Sequence, residues 1–362
     1  MIIHSTFKDY KVIIEKDINF LRNFHDNINT QYVLDKKVYK LYQTYLEWIP
    51  QERLILVEAT EQNKVVDTAL DICEKMTEIP AKRNVQLVSI GGGIIQDITG
   101  FVANILYRGI SWIFVPTTLL ASCDSCIGGK TSLNYKKYKN LLGTFYPPDE
   151  IHICSSFFNS LTERDYKSGL GEVVKFNIMA GKEGLHNIEE NIDELLSRKE
   201  IVVNHFLETS LLYKKTFIEV DEFDKGERIK LNFAHTFGHA IEVITEYNIP
   251  HGTAVAIGMI MANHISVSRG LLNPQFARIS EQVLLKVIDI DISSLNVEIE
   301  QFINAMRKDK KQTSTALTAV LMIQNSAENT ELQVVHDIQI AEVSSALKYF
   351  TELYHITKNP IS

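Results

Sequence analysis

Residues 85–106 read VQLVSIGGGIIQDITGFVANIL. An apolar run over 85–90 meets three consecutive glycines, and a helical pattern follows over 95–106. A strand, a glycine turn and a helix in that order make one unit of a strand–helix alternation. Glycines at such a turn let the backbone approach a pyrophosphate, which a helix N-terminus attracts. The run is not GxGxxG, and tight turns need glycine for backbone reasons alone. Its architecture is therefore better defined than its ligand. Asp97 within it, and Asp35 at the end of an earlier strand, are placed to bind ribose or nicotinamide amide groups.

Working outward, residues 10–14, 32–34, 54–57 and 112–115 also read as strands, with a helical pattern over 60–76. The alternation predicts a parallel sheet covered by helices, an α/β Rossmann-like domain. Pro147-Pro148 closes this half. From Thr162 the periodicity is nearly all helical. Thr162 with Asp165 resembles an N-cap before an acidic first turn. Residues 189–196, 202–217, 254–269 and 343–354 read as amphipathic helices. The expected organisation is an α/β nucleotide-binding domain over 1–155 and a mostly α-helical metal- and substrate-binding domain over 156–362.

The length of 362 residues suits two domains, each able to bury a full core. With 45% hydrophobic and 23% charged residues, the composition is that of an ordinary soluble globular protein. No apolar run reaches the roughly 18–20 residues of a membrane span. The N-terminal MIIHSTFKDYKVIIEKD has no cationic segment leading into an apolar one, so no secretion signal is read and a cytoplasmic location is expected. A net charge of −8 argues against nucleic acid or an anionic membrane as the main partner. An anionic small molecule can still meet a local basic cluster. KTSLNYKKYK, residues 130–139, is one, although alone it reads as a solvated loop. Cys123 and Cys126 form a CxxC with no second pair and no thioredoxin-like context, so packed, reduced thiols are expected for all four cysteines.

The second informative stretch is residues 226–259, GERIKLNFAHTFGHAIEVITEYNIPHGTAVAIGM. Small and apolar residues at helical spacing indicate a buried helix. His235 and His239 stand four apart and leave one face of it. His251 follows Pro250 and opens a second apolar helix. Three imidazoles from two helices fit a divalent-metal site, and the absence of HExxH removes the metalloprotease reading. In SGLGEVVKFNIM, Glu172 and Lys175 share a helical face among apolar neighbours, where an ion pair needs a reason to be buried. Between these stretches, VPTTLLASCDSCIGGKT supplies Thr117, Thr118, Asp124 and Lys130, and Lys139 and Asn140 follow it.

Taken together, GGGIIQDITGF, VPTTLLASCDSCIGGKT with its later KN, and GLGEVVK with LNFAHTFGHAIE and HG resemble 3-dehydroquinate synthase, a sugar-phosphate cyclase of the shikimate pathway. The resemblance runs in the same order from Asp35 to Lys311. It implies zinc, or cobalt in its place, held by Glu172, His235 and His251, which moves His239 to the substrate side. It implies NAD held by Asp35, Glu61, Lys64, Gly92, Gly93, Asp97, Thr117, Thr118 and Lys139. Catalytic and substrate-binding groups would be Asp124, Lys130, Asn140, Lys175, Lys214, Arg228, Asn232, His239 and Lys311. Arg108 would reach the phosphate from the neighbouring subunit of a homodimer. Arg228 and Asn232 stand where the family recognises a carboxylate, which separates it from cyclases of neutral sugar phosphates. The alternatives are another cyclase, of amino-dehydroquinate or 2-deoxy-scyllo-inosose synthase type, and a metal-dependent polyol dehydrogenase. The chain departs from the family pattern at Gln96, Ala234 and Thr253, and in having CDSC at 123–126.

Overall fold

Parallel strands form the backbone of the N-terminal half. The computed structural model describes every residue except 25–28, 79–83, 137, 296–297, 308–316, 326–328 and 359–362. Among the described residues, nine strands precede residue 154: β1 (Ile2–Ile3), β2 (Tyr10–Ile14), β3 (Thr30–Asp35), β4 (Leu54–Val57), β5 (Gln86–Gly91), β6 (Ser111–Pro116), β7 (Lys130–Tyr135), β8 (Tyr138–Phe145) and β9 (Glu150–Ile153). Seven of them make one sheet in the order β1-β2-β9-β6-β5-β3-β4. Every pairing in it is parallel except that of β1 with β2. Strands β3, β5 and β6 are buried almost throughout, as strands covered on both faces must be, and each has a short apolar centre: Tyr32–Leu34, Leu87–Val88 and Trp112–Val115.

Strand order places the ligand-binding end. From β3 the sheet continues to β4 on one side and to β5 on the other. The carboxyl ends of β3 and β5 therefore flank a topological switch point, where connections leave in opposite directions and open a crevice. Asp35 ends β3, Gly91 ends β5 and Pro116 ends β6. The expected nucleotide residues Gly92, Gly93, Thr117 and Thr118 follow directly. The helix after β5 spans Gly93–Ile105 with Gly92 at its N-cap.

The chain divides into two compact units, Met1–Leu161 with Ile218–Phe223, and Thr162–Phe217 with Asp224–Ser362. The second is mostly helical. Its central helix, His251–Ser268, is buried along nearly its whole length. HGTAVAIGMIMANHISVS is small and apolar on all sides, as suits a helix surrounded by others. It packs against helices Glu163–Met179, His235–Ile244, Pro274–Val287 and Ile340–Lys358. As expected, the Thr162 side chain caps the first of these by accepting from the Asp165 amide.

Two local readings are corrected. Residues 130–139 are no solvated loop: they lie largely within the antiparallel pair β7–β8. The turn at Lys136 adopts φ 53° without the Asn-Gly that usually marks a hairpin. In the helical half, β10 (Leu317–Gln324) and β11 (Thr330–Ile338) form a second antiparallel pair. Cys123, Cys126 and Cys154 are buried thiols and Cys73 is partly buried; none is in a disulfide. Among the described residues no helix is long and apolar enough to cross a membrane.

Candidate metal centre and nucleotide turn

Glycine contacts set the metal centre. Gly171 and Gly252, each next to an expected ligand, touch backbone to backbone where helix Glu163–Met179 crosses helix His251–Ser268. A Cβ on Gly171 would fall 2.5 Å from the Gly252 carbonyl carbon, and one on Gly252 would run into the Ser168 carbonyl. The Gly252 amide donates to Ser168 Oγ at 3.1 Å, pinning the crossing. Helix His235–Ile244 meets the same central helix at Gly238 and Gly258, where a Cβ on Gly238 would lie 3.1 Å from Val255 Cα. Such closeness carries Glu172, His235 and His251 to one point.

The geometry there is specific. Glu172 is fully buried, and its Oε1 lies 3.4 Å from His235 Nε2 and 3.3 Å from His251 Nε2. Two donors each about 2.1 Å from a tetrahedral ion lie about 3.4 Å apart, so these separations fit one zinc-sized cation. Glu172 Oε2 points the other way, to Lys175 Nζ at 2.5 Å. That leaves a single carboxylate oxygen for the ion. The outer nitrogens are held too: His235 Nδ1 lies 3.0 Å from the Phe233 carbonyl oxygen and His251 Nδ1 3.2 Å from Glu242 Oε2. Burial alone would lower the pKa of His251, but the Glu242 and Glu172 carboxylates override it and push it up to about 10. A proton on that ring occupies a place built for positive charge, and a divalent cation fits the same donors. His239 is close, its ring centroid 5.4 Å from that of His235 and 5.9 Å from that of His251.

The expected anion-binding groups of this unit are buried as well. Lys214 and Arg228 are 6% and 3% exposed. Arg228 and Asn232 sit on the short 3-10 turn Glu227–Asn232. Lys175 Nζ donates to the Leu231 carbonyl at 3.2 Å, tying that turn to the ligand helix. Ala234, next in sequence, takes a left-handed conformation (φ 69°) that turns the chain into helix His235–Ile244. A glycine here is free of the strain that alanine carries. Lys311 lies outside the described residues.

In the first unit, the residues expected around NAD form one polar network. Lys64 Nζ is 2.5 Å from Asp97 Oδ2 and donates to Asn140 Oδ1 at 2.7 Å. Ser132 donates to Asp97 twice, from its amide at 3.0 Å and its hydroxyl at 3.1 Å. Asn134 Nδ2 donates to Glu61 Oε2 at 2.8 Å, and Lys139 stands 3.9 Å from the same oxygen. Burial pushes the Asp97 carboxyl upward against the pull of the Lys64 ammonium. Ser132 and Asn134, which the sequence reading missed, come from β7, so the hairpin organises this network. Asn140, expected with the substrate, bonds here to a nucleotide-side lysine.

The remaining first-unit residues lie at strand ends and turns. Asp35 caps helix Lys36–Leu41 by accepting from the Lys37 amide at 2.9 Å. The Thr117 amide donates to Gly91 O at 2.9 Å, and Thr118 Oγ1 accepts from the Ala121 amide at 3.2 Å. A Cβ on Gly92 would press on Thr118 Cγ2 at 3.0 Å, whereas Gly93 is less enclosed, with Ser125 Oγ 3.7 Å away. Backbone free of side chain at the switch point is what a pyrophosphate requires. Gln96, one of the departures, exchanges two bonds with Ser125, at 2.6 Å to its carbonyl and 2.7 Å from its hydroxyl, and so braces the turn that carries Asp124. Lys130 opens β7 and is exposed, as is Arg108. Arg108 belongs to a left-handed run, Tyr107, Arg108 and Gly109, with φ of 51°, 67° and 115°.

Known proteins match most of the chain. The family described as 3-dehydroquinate synthase N-terminal matches residues 54–168, and the one described as 3-dehydroquinate synthase C-terminal matches residues 169–312. The 3-dehydroquinate synthase of Dictyoglomus thermophilum is 36% identical over 345 residues, 94% of this chain and 95% of that protein. Two solved structures superpose with a TM-score of 0.81. One is 2-deoxy-scyllo-inosose synthase with carbaglucose-6-phosphate, NAD+ and Co2+, at 20% identity over 96% of this chain and 99% of that one. The other is 2-epi-5-epi-valiolone synthase from Streptomyces hygroscopicus with NAD+ and Zn2+, at 22% identity over 97% and 99%. At such identity they speak for the fold alone. The matches across both halves, and a relative this similar over nearly the full length, place the chain in the 3-dehydroquinate synthase family.

Proposed function

We propose that the chain is a 3-dehydroquinate synthase, a phosphorus–oxygen lyase that converts 3-deoxy-D-arabino-heptulosonate 7-phosphate (DAHP) to 3-dehydroquinate and phosphate, on the route to the aromatic amino acids. The observation that carries this reading is the donor set Glu172, His235 and His251, with Lys175 against its carboxylate, in a chain of this family. NAD, when bound, takes up and returns a hydride, and a divalent cation, zinc or cobalt, polarises the substrate oxygen it holds. Glu172, His235 and His251 hold that cation, and Lys175 keeps the second oxygen of Glu172 engaged and offers a proton donor beside it. Arg228, Asn232 and Lys214 bind the substrate carboxylate, for which a guanidinium fork is the matching shape. Burial of Lys214 and Arg228 makes their charges count for more than on an open surface.

In the same reading, residues 1–155 bind NAD and residues 156–362 bind metal and substrate. Asp35, Glu61, Lys64, Gly92, Gly93, Asp97, Thr117, Thr118 and Lys139 hold the dinucleotide. Asp124, Lys130, Asn140, His239 and Lys311 complete the substrate groups. The enzyme works as a cytoplasmic homodimer in which Arg108 reaches the phosphate bound by its neighbour. The left-handed backbone at Arg108, costly for any residue but glycine, supports a role for that side chain beyond packing.

Phosphate release from DAHP by the purified protein with NAD and zinc, with NADH absorbance followed in parallel, is the direct test. The proposal expects phosphate without accumulating NADH, abolished by a chelator. Release from glucose 6-phosphate but not from DAHP would transfer the assignment to a cyclase of neutral sugar phosphates. Net NADH formation on polyols would transfer it to a dehydrogenase. Arg228→Ala should raise KM for DAHP at least ~10-fold through loss of a charge-assisted pair; an unchanged KM removes the carboxylate role.

A further inference from the structure

The two histidines of the metal centre are backed by different groups. His235 Nδ1 lies 3.0 Å from the carbonyl oxygen of Phe233, a neutral acceptor. His251 Nδ1 lies 3.2 Å from Oε2 of Glu242, a carboxylate. Both rings present Nε2 to Glu172 Oε1. His235, His239 and Glu242 hold positions i, i+4 and i+7 of helix His235–Ile244 and so leave one face of it. The Glu242 side chain is 15% exposed, and a carboxylate so far out of water is retained at a cost unless it is partnered. Neither its helix nor the family resemblance gave it a role.

We propose that Glu242 is a positioning residue of the metal centre: it accepts the Nδ1 proton of His251, fixes the tautomer whose Nε2 lone pair faces Glu172, and makes that ring the stronger donor of the pair. The inference rests on the metal reading above. An outer carboxylate holds a ligating imidazole in place and raises its basicity, and its loss costs 10–100-fold in metal affinity in comparable sites, roughly. His239, Glu242 and His251 also lie close enough together to bind an ion of their own. That ion would have to take His251 Nδ1 while Nε2 serves the first, leaving the ring without either proton. Neutral imidazole with one N–H on Glu242 is the less demanding arrangement.

The test uses the full chain, stripped of metal and titrated with Co2+ against a competing chelator, in the native sequence and in Glu242→Gln, Glu242→Ala and His251→Ala. The readouts are dissociation constant, metal per chain and the visible Co2+ spectrum. The proposal expects one ion per chain, Co2+ bound about 10–100-fold more weakly by Glu242→Ala with a shifted spectrum, and an intermediate loss in Glu242→Gln, whose amide oxygen still accepts the proton. NAD affinity and the melting temperature of the metal-free protein should stay level, which separates positioning from general damage. Unchanged Co2+ affinity in both Glu242 variants, with His251→Ala unable to bind, would overturn the role of Glu242 and leave the metal reading intact. Undiminished binding by His251→Ala would overturn the metal reading itself. Two ions per native chain, falling to one in Glu242→Ala, would make Glu242 a ligand and refute the positioning role.

Discussion

Gly171→Ala offers a sharp test of how the metal centre is assembled. The added methyl would lie 2.5 Å from the Gly252 carbonyl carbon and 3.0 Å from its Cα, where carbon–carbon contacts settle at about 3.5–4.0 Å. Both obstacles are backbone, so no rotamer change relieves them, and the helices must part by roughly 1 Å. Glu172 and His251, the neighbours of these two glycines, would separate with them. Their 3.3 Å donor spacing would open beyond what one cation at about 2.1 Å can bridge. Overpacking of this kind costs about 1–3 kcal/mol, and more where backbone meets backbone. The expected result is a melting temperature lower by several degrees and Co2+ affinity down by at least ~100-fold, more than for loss of an outer-shell partner. Gly270→Ala is the control: Gly270 has φ 69° and open space around it, so it should cost about 1 kcal/mol of backbone strain and leave metal binding unchanged. If Gly171→Ala bound Co2+ like the native protein, the close helix crossing would not be what brings the ligands together.

Three further outcomes are expected. Ala234→Gly should leave stability within about 1 kcal/mol, because relief of about 1–2 kcal/mol of left-handed strain offsets the roughly 0.4–1 kcal/mol that glycine adds to unfolded-state entropy and the ~0.8 kcal/mol lost with a buried methyl; a loss of about 2 kcal/mol or more in urea unfolding would show that alanine sits there without strain. Lys64→Met should cost about 3–5 kcal/mol by leaving Asp97 without its cation, while Lys64→Met with Asp97→Asn should recover most of it; purely additive losses in that double-mutant cycle would mean the two groups do not couple. Arg269 binds both oxygens of Glu342, at 2.6 and 2.7 Å, and its hydrogen bonds hold that carboxyl below its ordinary 4.5. A depressed folded-state pKa gives stability that is complete above 4.5 and fades as the pH falls through the lower folded value. Glu342→Gln should therefore flatten the acid limb of the stability curve, and an unchanged limb would rule the pair out as its source.

Much of this protein was legible in one dimension because its signals are local. The parallel sheet shows as short apolar runs because strands covered on both faces leave few polar positions, and β4 matches its reading residue for residue. The glycine turn shows because only glycine leaves backbone bare at a strand end. His235 and His239 declare a shared face through a spacing of four. The buried Glu172–Lys175 pair announced itself by charge among Leu170, Val173 and Val174. The sequence Gly226–Met259 even contained the Glu242 signal, since i+7 repeats the face that i+4 had already marked.

What only the tertiary structure decided are relations between residues far apart in the chain. Hairpin β7–β8 hid in a lysine-rich stretch whose turn has no Asn-Gly, and it is pairing and the grip of Ser132 on Asp97, not composition, that makes it a strand. β10–β11 is absorbed into the helical half because a short apolar run such as Ala319–Ile323 fits a buried helix as well as a strand. Glu242 gained its meaning from His251, nine residues on and on another helix. The contact of Gly171 with Gly252 joins positions 81 apart, and sequence shows a glycine's missing side chain without showing what approaches it. Local propensity and periodicity travel with the chain, whereas distances between donor atoms are set by how helices cross, and the chemistry of a metal centre depends on those distances.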